Sequence, residues 1–156
     1  MKLRLIFVGK TREPYLRQGI EDYLHRLRRY VPVTVTVVRA ERLSRVTLNE
    51  RVVSLESARV AAQLSDSSYF VVLDRQGEQM SSEGLARWWT RSEREGKREL
   101  CFAVGSVLGL SDALRRQAHA VLSLSKMTLT HEMSRLILLE QLYRACTIIR
   151  GEKYHR

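Results

Sequence analysis

Apolar and polar positions change their period several times along this chain, and each change marks an element. Lys2–Val8 is a short apolar run that predicts a strand. Pro14 opens a helix at its first turn, where a missing N–H costs little. Leu16, Ile20, Tyr23, Leu24 and Leu27 recur at helical spacing, so this helix is expected to reach about Tyr30, with Pro32 as the break. Val33–Val38 is β-branched or apolar throughout and predicts the clearest strand. Ala40–Leu48 is a charged connection, and a helix is expected around Asn49–Leu64. A polar turn at 66–68 leads into a strand over Tyr69–Leu73. Ser81 or Ser82 caps a helix carrying Trp88 and Trp89, and Gly96 ends it. Leu100–Val104 predicts a buried strand, Ser111 the cap of a short helix to about His119, and Val121–Leu124 a last short strand. Thr130–Ile149 is the final helix.

Strands that alternate with helices predict an α/β fold, with a largely parallel sheet and helices on both faces. No repeat or linker divides the chain, so 1–156 reads as a single domain. In such sheets ligands bind beyond the carboxyl ends of the strands. Three of those ends are unusual: Leu73-Asp74, Gly105-Ser106 and Ser123-Leu124-Ser125.

Charge adds a partner to this picture. Lys and Arg number 27 against 17 Asp and Glu, a formal net charge of +10. Residues 1–45 alone hold eleven basic and four acidic side chains, a net of +7. Arginine suits bidentate phosphate contact, so nucleic acid is the expected partner. The plainer alternative is an arginine-rich solubility surface. No apolar run approaches a membrane span, and the N-terminus carries no cleavage pattern, so the expected compartment is the cytoplasm. Cys101 and Cys146 sit in apolar segments and are expected to be buried and reduced.

The four histidines lack metal-ligand spacing, and there is no C-x-x-C, so no metal site is expected. Taken singly they read as surface residues, except His155, which lies between Tyr154 and Arg156 at the terminus. Asp74 and Glu140 are possible bases, although such carboxylates are commonly solvated or paired. No glycine fingerprint for a dinucleotide, no phosphate loop and no nucleophile elbow is present, which argues against an oxidoreductase and against a hydrolase. The last helix is apolar on more than one face, which predicts burial on several sides, with a second subunit as a candidate for one of them. Arg135 and Arg144 interrupt that apolar surface and should each require an anion.

Taken together, MKLRLIFVGK, VVLD at 71–74, Ser81-Ser82-Glu83, LSLSKMTLTH, LLEQLYRA and the terminal YHR resemble the RlmH family of the SPOUT superfamily. The resemblance spans nearly the whole chain. It implies a C-terminal trefoil knot, a homodimer, and S-adenosylmethionine as cofactor. By position, Leu73, Gly105, Leu124, Ser125, Lys126, Met127, Thr128 and Leu129 would hold that cofactor. The implied reaction is methyl transfer to N3 of pseudouridine 1915 in helix 69 of 23S rRNA, on the assembled ribosome. Arg144, Tyr154 and His155 are then the candidate catalytic residues, with His155 the proton acceptor that costs least near neutral pH. Departures from the family pattern are Ser106-Val107-Leu108 in the cofactor loop, Thr130 in place of a common proline, and Lys153 in place of another. These changes bear on cofactor affinity rather than fold. They support an alternative reading, an RNA-binding protein on the same scaffold with impaired transfer.

Overall fold

Every second residue of the first strand, β1 (Lys2–Val8), turns to the same face of the sheet. Leu3, Leu5 and Phe7 enter one core, while Ile6 and Val8 enter another on the opposite face. Burial on both faces explains why the strand is nearly all apolar. The chain continues through α1 (Pro14–Leu27), β2 (Val33–Val38), α2 (Asn49–Ala61), β3 (Ser68–Glu78), α3 (Ser82–Arg94), β4 (Glu99–Val104), α4 (Asp112–Gln117), β5 (Ala120–Leu122) and α5 (His131–Ile149). A short 3-10 helix, Lys153–His155, follows. This computed structural model describes residues 1–46 and 48–155, so Arg156 lies outside the described residues.

The five strands form one parallel sheet in the order β2-β1-β4-β3-β5. Side chains of α1, α3 and α5 fill the core on one face, and those of α2 and α4 lie over the other. The expected α/β architecture with helices on both faces is therefore observed. Cys101 and Cys146 are both buried and reduced, and burial pushes each thiol up to about 12.

Two of the differences from expectation bear on the site and on the assembly. First, β3 runs five residues past Leu73. Its polar end shifts register and meets β5 again, with Glu78 opposite Leu122, while Ser123 donates its N–H to the Glu78 carbonyl at 2.9 Å. Gly77 is required at this crossing, because a Cβ there would sit 2.6 Å from the Val121 carbonyl oxygen. Second, the apolar girth of α5 is largely absorbed within the chain. Leu138, Leu139 and Leu142 are fully buried, Leu136 packs on Gly19 of α1, and Gln141 meets Ser82 of α3. That girth alone does not require a second subunit.

Arg135 is 0% exposed and, among the described residues, has no carboxylate in direct contact. Its guanidinium donates to the Val8 carbonyl at 2.6 Å and to the Thr11 hydroxyl at 3.0 Å, and it lies over the Phe7 ring. Burial pulls this group down to about 10. One turn earlier, Glu132 accepts the backbone N–H groups of Arg12 and Glu13. The start of α5 is thereby tied to the loop after β1.

Candidate active site

The carboxyl ends of β3, β4 and β5 open into one cleft of about 720 Å³. Leu73, Val104, Leu122, Leu124 and Leu129 supply apolar wall, and Asp74, Ser125, Thr128, Thr130 and His131 supply polar groups. Gly105 and Met127 line it as well. Of the residues expected to hold the cofactor, all but Lys126 contribute to this cleft; Lys126 is exposed and lies outside its lining. His131, read from the sequence as a surface residue, lies at the cleft. Burial first, and then the Arg135 charge, hold its imidazole below the usual range, which favours the neutral ring.

Local chemistry shapes the two main loops. The 105–109 loop closes on itself: the Gly109 N–H donates to the Ser106 carbonyl at 3.0 Å, and Gly109 takes φ +75°. A Cβ on Gly105 would stand 2.8 Å from the Gly109 carbonyl carbon, so only glycine fits. The Ser106 hydroxyl is turned toward α2, where it donates to Glu56. In the other loop, Ser123 donates to the Ser125 carbonyl, and Ser125 accepts the Met127 N–H. Thr130 caps α5 by accepting the Met133 N–H, as its position before the helix suggests. Asp74, at the end of Leu73-Asp74, is not a free base: Arg115 donates to it at 2.5 Å.

The terminal residues form a second cluster. Glu140 accepts from Arg144 Nη2 at 2.6 Å, from Gln141 at 2.6 Å and from the Tyr154 hydroxyl at 3.2 Å. Tyr154 having donated to that carboxylate, the Tyr23 hydroxyl at 3.1 Å is left to donate to Tyr154. Burial and these bonds raise the Tyr154 hydroxyl above its ordinary range, so it keeps its proton. Its ring packs edge-on against Tyr143, and the Arg144 guanidinium covers it at 4.7 Å. His155 Nε2 lies 2.7 Å from Glu83 Oε1 in the first turn of α3. The backbone N–H of Glu83 first, and then His155, hold that carboxyl down at about 2. An ionised carboxylate only accepts, so Nε2 carries the hydrogen and Nδ1 is the acceptor nitrogen. Among the described residues, Nδ1 is buried and has no hydrogen-bond partner.

The family model described as "Predicted SPOUT methyltransferase" matches residues 1–155. The chain belongs to this SPOUT methyltransferase family. It is 44% identical to the ribosomal RNA large subunit methyltransferase H of Geobacter sp. (strain M21), over 99% of each chain. Similar proteins of the same name occur in Trichlorobacter lovleyi, at 42% identity, and Geotalea daltonii, at 44%, each over 99% of both chains. These are RlmH proteins, and the RlmH resemblance read from the motifs holds over the full length. The crystal structure titled as a probable methyltransferase from Bordetella pertussis Tohama I shares the fold, with a TM-score of 0.59 over 93% of this chain and 94% of that one. At 13% identity that likeness speaks for the fold alone.

In this RlmH chain the cleft and the terminal cluster stand apart. Ser134 is the last residue of α5 to line the cleft, and none of Arg144, Tyr154 and His155 lines it. Six residues of helix, about 9 Å along the axis, separate Ser134 from Glu140, where Arg144 and Tyr154 meet. Sequence reasoning did not find the partners of the carboxylates beneath the tail. Glu83 reads only as a helix start because His155 lies far along the chain, and Glu140, read as a possible base, is instead paired with Arg144, Gln141 and Tyr154.

Proposed function

We propose that this protein is a methyltransferase that uses S-adenosylmethionine to methylate large-subunit ribosomal RNA, at N3 of pseudouridine 1915 in helix 69 on the assembled ribosome. The reading takes 1–156 as one domain working in the cytoplasm; among the described residues, no helix is long and apolar enough to cross a membrane. The observation that carries it is the cleft: Leu73, Gly105, Leu124, Ser125, Met127, Thr128 and Leu129, drawn from three separate strand ends, converge on one space. Its volume falls within the range of roughly 300–1,000 Å³ expected of small-molecule sites. Apolar walls with a few polar groups suit a cofactor that has a flat ring and a charged tail. The close crossing of 74–78 with β5 supports the trefoil knot that the family motifs imply.

S-adenosylmethionine, when bound, supplies an activated methyl group on a sulfonium. The chain must then orient the base and take up its N3 proton. His155 is the candidate proton acceptor: Glu83 fixes the tautomer through Nε2, and Nδ1, buried within the single chain, has to be uncovered for the base to reach it. Arg144, held by Glu140, brings a fixed positive charge to the base as negative charge develops on it. Tyr154 remains protonated and acts by contact and hydrogen bonding, not as a base.

The separation of tail and cleft within one chain supports a homodimer in which the tail of one copy completes the cleft of the other. Exposed apolar side chains at the cleft rim, Val107 at 69% and Met127 at 78%, support the same arrangement. Exposed Lys10, Arg12, Arg17, Arg28, Arg29, Arg39, Arg42 and Arg45 supply a positive surface for rRNA phosphates. An assay with labelled S-adenosylmethionine and 70S ribosomes lacking the modification tests the reading. Label in 23S rRNA at that nucleotide is the expected result. S-adenosylmethionine binding without transfer would instead favour the RNA-binding alternative.

A further inference from the structure

Glu56 on α2 is 1% exposed, and the reaction above does not use it. A carboxylate removed from water has to be held by donors. Its two oxygens take donors from different loops. Oε1 accepts the Glu41 backbone N–H at 2.9 Å, and Oε2 accepts the Ser106 hydroxyl at 2.5 Å. The next residue, Ser57, accepts the Ser111 N–H at 2.9 Å. One turn of α2 thus grips the 105–111 segment near both its ends. The other loop is fastened at the same place: Arg59 pairs with the Glu41 carboxylate and donates to the Arg39 carbonyl at 2.8 Å. The exposed basic residues Arg39, Arg42 and Arg45 belong to this second loop.

The 105–109 loop is too tight to yield at one point. Its internal hydrogen bond and the contact of Gly105 with Gly109 make it a small closed unit. A shift at Ser106 therefore moves Val107 and Leu108, which line the cleft.

We propose that Glu56 and Ser106 form a positioning pair that couples the cleft loop to the basic 39–46 connection, so that a ligand on either loop changes the state of the other. This rests on reading the cleft as the S-adenosylmethionine site. Coupling between two binding events is reciprocal, so it can be read from either side. Arg42 and Arg45 provide a built-in reporter, since trypsin cleaves after arginine in exposed loops.

The experiment uses the full chain. Calorimetry measures S-adenosylmethionine affinity, and limited trypsin digestion follows cleavage after Arg42 and Arg45 with and without saturating S-adenosylmethionine. The unaltered protein is expected to bind it and to be cut several-fold more slowly when it is bound. Ser106→Ala, which removes one hydroxyl and leaves the backbone free to close, is expected to weaken binding roughly fivefold and to lose that protection. Glu56→Gln should shift both readouts in the same direction, and the double variant should be no worse than the stronger single one. Circular dichroism confirms that each variant is folded. If Ser106→Ala retains either its affinity or its protection, the proposal is overturned and the cofactor site stands. If the unaltered protein does not bind S-adenosylmethionine, the functional reading falls and this inference falls with it.

Discussion

His155 and Glu83 meet through Nε2 and Oε1 at 2.7 Å, joining the end of the chain to the first turn of α3. Their sequence separation hides this contact, yet it decides which imidazole nitrogen can accept a proton. The Glu83 carboxyl titrates at about 2 in the folded chain against an ordinary value of 4.5. A depressed folded value means that its contribution is complete above the ordinary value and is lost only as pH falls toward 2. The pair should therefore persist throughout the neutral range. Nitrogen NMR of the neutral His155 ring should find the hydrogen on Nε2. In Glu83→Gln that preference should weaken. A ring that carries its hydrogen on Nδ1 would remove His155 as the base.

Gly105 is expected to tolerate no side chain. Its Cβ would meet Gly109 backbone at 2.8 Å, and backbone cannot swing aside as a side-chain tip can. Gly105→Val should abolish S-adenosylmethionine binding while the chain remains folded; calorimetry beside circular dichroism checks this. Intact affinity would remove the loop from the site.

Much of the fold was legible, for reasons the elements themselves show. β1 and β2 match their expected bounds because continuous apolar or β-branched runs leave little choice. Ser81, Ser111 and Thr130 all cap helices, as side chains that can accept from N–H groups three residues on. Misses arise where long-range contact overrides local pattern. The polar end of β3 becomes strand only because β5 meets it again. The first expected helix ends at Leu27 instead of Tyr30, and the second at Ala61 instead of Leu64, each relaxing into a final turn. Nothing local predicted the 3-10 turn of the tail, which is pinned by Glu140, Tyr23 and Tyr143. In the site, the cleft loops were legible as strand ends with glycine or small polar residues. Glu56 and Glu83 were not assigned, and Glu140 was read only as a possible base or a paired acid, because a carboxylate acquires its role from a partner that spacing cannot supply.

The basic surface should act on ribosome affinity and not on the chemical step. Arg28, at the end of α1, is exposed. Arg28→Glu should weaken binding to 70S ribosomes and flatten its salt dependence by about one phosphate contact. Filter binding across a salt series measures both. An unchanged slope would place Arg28 outside the RNA contact.

The proposed dimer rests on the separation of tail and cleft, not on the girth of α5. Sedimentation at micromolar concentration should therefore find two chains per particle. A stable monomer would leave Arg144, Tyr154 and His155 without a cleft to serve.

The central claim, that one copy supplies the cleft and another the tail, is most directly tested by mixing two inactive variants. Gly105→Val disables the cleft and His155→Ala the tail. In single-turnover assays on unmodified 70S ribosomes, each alone should transfer almost no methyl group. After the two are co-refolded, mixed dimers hold one intact cleft facing one intact tail, so roughly a quarter of the normal sites should become active. A mixture no more active than its parts would contradict the account and return cleft and tail to the same chain.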